Sequence, residues 1–209
     1  MKIKTLKILT LGGLIGPILF TTTILVSAYL RTDYSHIHNF VSELGATNTP
    51  NEQLMNFAGF IISGLLICLF GISLSYLNPK NLITKIGALF IIVCGLGMML
   101  AGSFSCDQGC PTAGSIESII HDRIAAITFI SAILGIILLG FSFRKLKFFQ
   151  NIAYYSILSG IVSAILLVVM INSVESRVYT GLWQRLLSFS IFLWTAIVGI
   201  KTFKKYNQL

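Results

Sequence analysis

Long apolar runs alternate with short polar breaks along this chain. Six runs reach the roughly 20 residues that a membrane-spanning helix needs: residues 7–30, 54–77, 83–103, 119–142, 149–171 and 182–203. None carries the regular alternation of a transmembrane barrel strand. Most of the breaks are short, so consecutive helices are expected to pack as antiparallel neighbours. The pattern predicts an all-α fold, a bundle of six transmembrane helices formed by one domain over residues 1–209.

Composition agrees. Only 11% of the residues are charged, against roughly 25% in a soluble domain. The mean hydropathy is +0.86. The net charge of +8 does not point to nucleic acid, because the basic residues sit in short clusters between apolar runs. Six crossings put both termini on one side. That side holds Lys2, Lys4, Lys7, Lys80, Lys85, Arg144, Lys145, Lys147, Lys201, Lys204 and Lys205, eleven of the fifteen basic residues. Arg31, Arg123, Arg177 and Arg185 fall on the other. The positive-inside rule therefore makes both termini cytoplasmic, in a multi-pass protein of a cell membrane, here expected to be a bacterial inner membrane. All seven acids and all three histidines fall on the outer side. Either the cytoplasmic loops are too short and basic to hold acids, or the outer face carries a polar site.

The N-terminal MKIKTLK and the VSA at 26–28 resemble parts of a signal peptide. The apolar run from Ile8 to Leu30 is longer than a usual signal core, which favours an uncleaved anchor. Cys68 and Cys94 lie in apolar runs and read as packing residues. Cys106 and Cys110 share an outer loop around Gly109, and an oxidising compartment permits a disulfide between them. The alternative, a metal site, needs further ligands, with His121 as a candidate. Gly12 and Gly16, and Gly160 with Ala164, are small-residue pairs that allow close helix contact. That contact is either within the bundle or between protomers of a homo-oligomer.

The longest outer break, residues 31–49, concentrates the chain's ionisable chemistry. Long loops are usually functional or disordered, and local signals here favour order. TPNE at 49–52 reads as a capping box, with Thr49 as cap, Pro50 at the first helical position and Glu52 reaching back. Upstream, HIHNFVSELG suits a short helix ended by Gly45, with Ile37, Phe40, Val41 and Leu44 on an apolar face. A helix would set His36 and His38 about 200° apart, so they chelate one ion only if extended. Three outer histidines, His36, His38 and His121, could supply a zinc site. The helical reading disfavours it, and no cofactor is expected.

Two other outer positions carry charge. Asp122 sits near a helix N-terminus, where the dipole favours it, beside His121 and Arg123. Arg185 lies about one turn into the last helix, a depth at which an ionisable residue faces inward and has a partner or snorkels outward. Glu43, Asp122 and Glu175 are the acids within its reach, and Glu43 is also expected to turn toward Arg185 or Arg123. A ligand site on this face would draw on Asp33, His36, His38, Ser42, Glu43, His121, Asp122, Arg123 and Arg185. No P-loop, GxSxG or HExxH occurs.

The stretch VSELGATNTPNEQLMNFAGFIISGLL resembles the bacterial six-helix membrane family DUF998. The resemblance rests on SELGA at 42–46, the spacer with Pro50, Asn56 and Phe57, and the small-residue face through Gly64. Cys106, Asp107 and Pro111, followed by His121, Ala125 and Ala126, extend it over most of the chain. It implies a six-helix bundle and no established activity. A looser similarity is to the Frag1/DRAM/Sfk1 group, linked to lipid and membrane homeostasis. Three functions stand open. The first is binding of a membrane lipid or envelope component in an outward pocket. The second is lipid-headgroup hydrolysis with Ser42, Glu43 and His121 near the chemistry. Small-solute transport ranks last, since no inverted repeat is visible.

The topology gives the first prediction. Reporter fusions after Lys80, Lys147 and Leu209 should all report cytoplasm, and an outer signal at Lys147 would overturn the map.

Overall fold

A computed structural model describes residues 1–208. Six helices are long and apolar enough to cross a membrane: α1 (Ile3–Tyr29), α2 (Leu54–Ser75), α3 (Leu82–Ser103), α4 (Ile116–Phe143), α5 (Gln150–Asn172) and α6 (Thr180–Tyr206). The expected spans are all present. α1 begins four residues earlier than the apolar run, because its amphipathic first turns bury Leu6 and Thr10. Each helix packs on the next, and α6 returns to pack on α1, so the bundle is a closed ring. Its core is built from Phe20, Phe60, Phe70, Ile136, Leu187 and Trp194, among others.

Two helices depart from regular geometry. α1 breaks at Leu11, between segments Ile3–Thr10 and Gly12–Tyr29. The small-residue pairs serve this bundle: a side chain at Gly12 would meet the Leu66 carbonyl at 2.1 Å, and one at Gly160 would meet Ile137 at 2.4 Å. α2 starts as a π-helix over Leu54–Ile62 before becoming α-helical at Ser63. Such stretches recur at functional sites, and this one carries the buried Asn56.

The end of the ring opposite the termini is covered by its three loops. The helix expected over 36–45 is only partly there. Residues 36–39 form a turn, and a single 3₁₀ segment spans Val41–Gly45. Long-range partners take the backbone groups that an α-helix would use. The Ile37 carbonyl accepts from Leu182 N–H (2.9 Å). Val41 N–H donates to Gln184 Oε1 (2.6 Å), and the Asn39 carbonyl accepts from Arg185 (3.1 Å). Of the proposed apolar face, Val41 and Leu44 are buried, whereas Ile37 is exposed.

The capping box is also rearranged. The Thr49 hydroxyl donates to the Ala46 carbonyl (2.7 Å) instead of capping a helix, and Glu52 accepts from Asn48 N–H (2.8 Å). The reason is local: the end of the 3₁₀ segment leaves carbonyls that need donors.

Gly45 ends the 3₁₀ segment, but its place is fixed by packing. The left-handed conformation typical of a helix-ending glycine is absent. A Cβ there would lie 2.1 Å from Asn56 Oδ1. Asn56 Nδ2 donates to the Gly45 carbonyl and to Ser105 Oγ, both at 2.9 Å. A Gly45→Ala chain must therefore displace Asn56 from both bonds, and overpacking of this kind costs about 1–3 kcal/mol. Thermal unfolding in detergent should fall by several degrees for Gly45→Ala. An unchanged midpoint would contradict the packing described.

Candidate functional site

The site begins with the way α3 ends. In a continuing helix the Ala101 carbonyl would accept from Ser105 N–H. That N–H instead donates to Glu117 Oε1 (2.9 Å), in the first turn of α4. The Ala101 carbonyl is freed, and the Phe104 carbonyl lies beside it. One turn further along α4, His121 fills the gap. Its Nδ1 lies 3.0 Å from the Ala101 oxygen and 2.7 Å from the Phe104 oxygen. Carbonyl oxygens only accept, so Nδ1 carries the proton. In the neutral ring Nε2 is then a bare lone pair, and it lies 3.1 Å from Ser42 Oγ. The ring is only 3% exposed.

Ser42 is held by the 3₁₀ segment. Glu43, the next residue, turns its carboxylate back onto Phe40 N–H (2.8 Å) and the Asn39 amide (2.7 Å). Leu44 is fully buried below. The loop after α3 supports Ser42 from the side, where Thr47 N–H donates to the Cys106 carbonyl (2.9 Å). Cys106 and Cys110 are joined in a disulfide, and Asp107 closes that loop by accepting from Ser115 N–H (2.6 Å).

Two cavities meet at this pair, and Ser42, His121, Ala125, Phe129 and Gln184 line both. The inner one, about 60 Å³, lies on the bundle axis among Phe20, Phe60, Met98, Ile191 and Phe192. The side one, about 230 Å³, lies between α4 and α5. Gln184 is the group that sequence reasoning missed. Because Val41 N–H must meet an oxygen, the amide is oriented with Oε1 toward the loop, leaving the NH₂ group for the space beside Ser42. The neighbouring charge of Arg185 had marked this turn of α6. A lone Gln inside an apolar helix was the available signal.

A family model described as "Protein of unknown function (DUF998)" matches residues 14–201. The chain belongs to the DUF998 family. No curated protein and no solved structure matches it. The segments that carried the resemblance are the ones that build this site in the DUF998 chain. SELGA forms most of the 3₁₀ element, Asn56 ties it to α2 and to the loop after α3, and the cysteine loop and His121 complete the surround.

The remaining sequence candidates lie apart from the pair. His36 stands edge-on to Tyr34, and His38 stacks on Tyr179 at 5.7 Å. Burial and the nearby Arg185 hold the His36 imidazole below its ordinary value. Among the described residues, no three His, Cys, Asp or Glu side chains converge as metal ligands. Asp33 pairs with Arg31 at 2.6 Å, and the hydrogen bond from Arg31 holds its carboxyl below the usual range. Asp122 is exposed at the lip of the side cavity, and Arg123 is exposed outside both cavities.

Arg185 and Glu43 do not pair with each other. Arg185 donates to the Asn39 carbonyl (3.1 Å), the Gly181 carbonyl (2.9 Å) and the Tyr34 hydroxyl. Burial raises the Tyr34 phenol above its ordinary value, although Arg185 pulls it down. Carbonyl dipoles and a phenol thus serve the guanidinium in place of an acid. Glu43 instead meets Arg177 (3.5 Å), from the loop between α5 and α6. Arg177 also donates to the Cys110 carbonyl (2.6 Å) and covers the Phe40 ring, so one side chain binds all three loops. Glu43→Ala and Arg177→Ala should couple in a stability cycle by about 0.5–1 kcal/mol, the upper range for partly exposed pairs. Glu43→Ala and Arg185→Ala, which meet only through Asn39, should couple more weakly than that. Coupling only to Arg185 would refute this assignment.

Proposed function

We propose that this protein is a membrane-embedded serine hydrolase that cleaves acyl esters. The observation that carries the reading is the orientation of His121. Two carbonyls fix its proton on Nδ1, which leaves Nε2 as a base aimed at Ser42 Oγ. A nucleophilic serine needs such a base, and the base needs a third group to orient it. Here backbone carbonyls at the end of α3 take the part that a carboxylate plays in the Ser-His-Asp arrangement. The negative end of the α3 dipole also lies on the side where imidazolium charge develops.

The reaction follows from these groups. Ser42 Oγ attacks the ester carbonyl carbon as its proton passes to His121 Nε2. The Gln184 amide donates to the oxyanion that forms. The carbon–oxygen bond to the alcohol breaks, and the alcohol leaves with the proton from Nε2. Water then attacks the acyl-serine, gives a proton to Nε2, and the acid departs as that proton returns to Ser42. One ester and one water become one acid and one alcohol. Glu43, a candidate for direct chemistry, serves here as a positioning residue through Phe40 and Asn39. The clustering of basic residues at the opposite end supports an outer-face placement of the site.

A short-chain fluorophosphonate tests the reading, because it is attacked by activated serines with loss of fluoride. Intact mass should show one adduct on Ser42, absent in Ser42→Ala. The labelling rate should fall about 10²-fold or more in His121→Ala, the usual contribution of a general base. It should fall similarly in Gln184→Leu if the amide stabilises the oxyanion. No adduct on folded wild-type protein would overturn the proposal.

A further inference from the structure

We infer that the substrate is a long-chain acyl ester of a bilayer lipid, which reaches Ser42 sideways through the cleft between α4 and α5. The inference rests on the serine-hydrolase reading and assigns its substrate class and route.

Cavity sizes choose the arm. The inner cavity of about 60 Å³ has room for only a few waters' worth of volume and lies among the rings of Phe20, Phe60, Phe129 and Phe192. The side cavity, about 230 Å³, is the larger and runs from Ser42 toward the bundle surface. Its walls are Ala125 and Ala126 on α4 facing Leu167, Met170 and Ile171 on α5.

The same two helices are closely packed elsewhere. Near the end that bears the termini, α4 and α5 are in close contact. A side chain at Gly140 would meet Ile157 at 2.8 Å, and one at Gly160 would meet Ile137 at 2.4 Å. Towards the loop end Ala125 and Ala126 stand across the cavity from Leu167, Met170 and Ile171, and the cleft is the space that the two alanines do not fill.

The surround of the opening identifies what enters. Ala126 and Ile171 form its rim and are exposed. Ile127 and Ile130 on α4 flank it at 55% and 49% exposure, and Val168 on α5 at 58%. An opening framed by bare aliphatic side chains on the outside of a spanning helix pair faces hydrocarbon. Towards the loops its lip becomes polar, at Asp122 and Thr112. An amphiphile matches this order: the acyl chain lies between the aliphatic walls, its ester stops at Ser42, and its polar part stays at the lip. A water-soluble ester lacks the chain that would fill the cleft.

The test uses the full chain in phosphatidylcholine vesicles and two probes, a hexadecyl fluorophosphonate carried in the bilayer and an ethyl fluorophosphonate added in water. Labelling of Ser42 is read by intact mass. Wild-type protein should react faster with the hexadecyl probe. Ala126→Trp, which plugs the rim, should lower the hexadecyl-to-ethyl rate ratio at least tenfold. Ile171→Trp, from the opposite rim, provides the same reading if the first variant does not fold. Leu89→Trp, on the exposed face of α3, should keep the wild-type ratio. An unchanged ratio in both rim variants would overturn the lateral route, while ethyl labelling of Ser42 would leave the hydrolase reading intact. Absence of any adduct in wild-type protein would overturn both.

Discussion

The site depends on where one backbone N–H goes. Had Ser105 N–H continued the α3 ladder, the Ala101 carbonyl would be occupied and His121 would have no fixed tautomer. The Glu117 carboxylate takes that N–H (2.9 Å). Its own position in the first turn of α4 is favoured by the positive end of that helix dipole. The same exchange therefore ends α3, caps the approach to α4, and leaves an acceptor pair that only a ring N–H at the height of His121 fills. Buried backbone groups must be paired, so the imidazole is needed to complete α3, and its other nitrogen is left free for Ser42.

The rest of the cap holds Ser42 against that nitrogen. An apolar ring of six helices offers few polar partners, and those it has stand at the loop end, where Asn56, His121, Gln184 and Arg185 meet the loops. Arg185 and Gln184 bind a carbonyl and an N–H of the 35–45 stretch, Arg177 meets its Glu43 carboxylate, and Asn56 fastens its end to α2 and to the loop after α3. These bonds cross from α6 and α2 to one short 3₁₀ segment. That explains why a stretch so polar is so well buried: Glu43 is 6% exposed, and Leu44 and Ala46 are fully buried. The pair sits at the boundary where water gives way to aliphatic walls. On the proposed hydrolase reading, a developing oxyanion would be stabilised more strongly in such a setting than in water.

Much of the fold could be read from the chain, because about 20 apolar residues in a row have few alternatives in a membrane. The six spans and the disulfide within one short loop were of this kind. Ser42 and His121 were both singled out, the serine for its place in SELGA and the histidine for its place at a helix start. Their approach was not legible, since 79 residues separate them and no periodicity links a loop to a helix. The local reading of 36–45 as a helix failed for the same reason. Leu182, Gln184 and Arg185 supply partners about 145 residues away in sequence, and tertiary bonds outcompeted the local ladder. Charge also misled: Arg185 invited an acid, and carbonyls answered.

The tautomer of His121 is the most direct measure of the account. In protein carrying ¹⁵N-labelled histidine, reconstituted in bilayers near neutral pH, the two ring nitrogens of His121 can be separated from those of His36 and His38 by comparison with His121→Gln. The account predicts a protonated Nδ1 and an unprotonated Nε2, with the Nε2 signal shifting on modification of Ser42. A ring protonated at Nε2 and bare at Nδ1 would contradict it, because the histidine would then donate to Ser42 and could not take its proton.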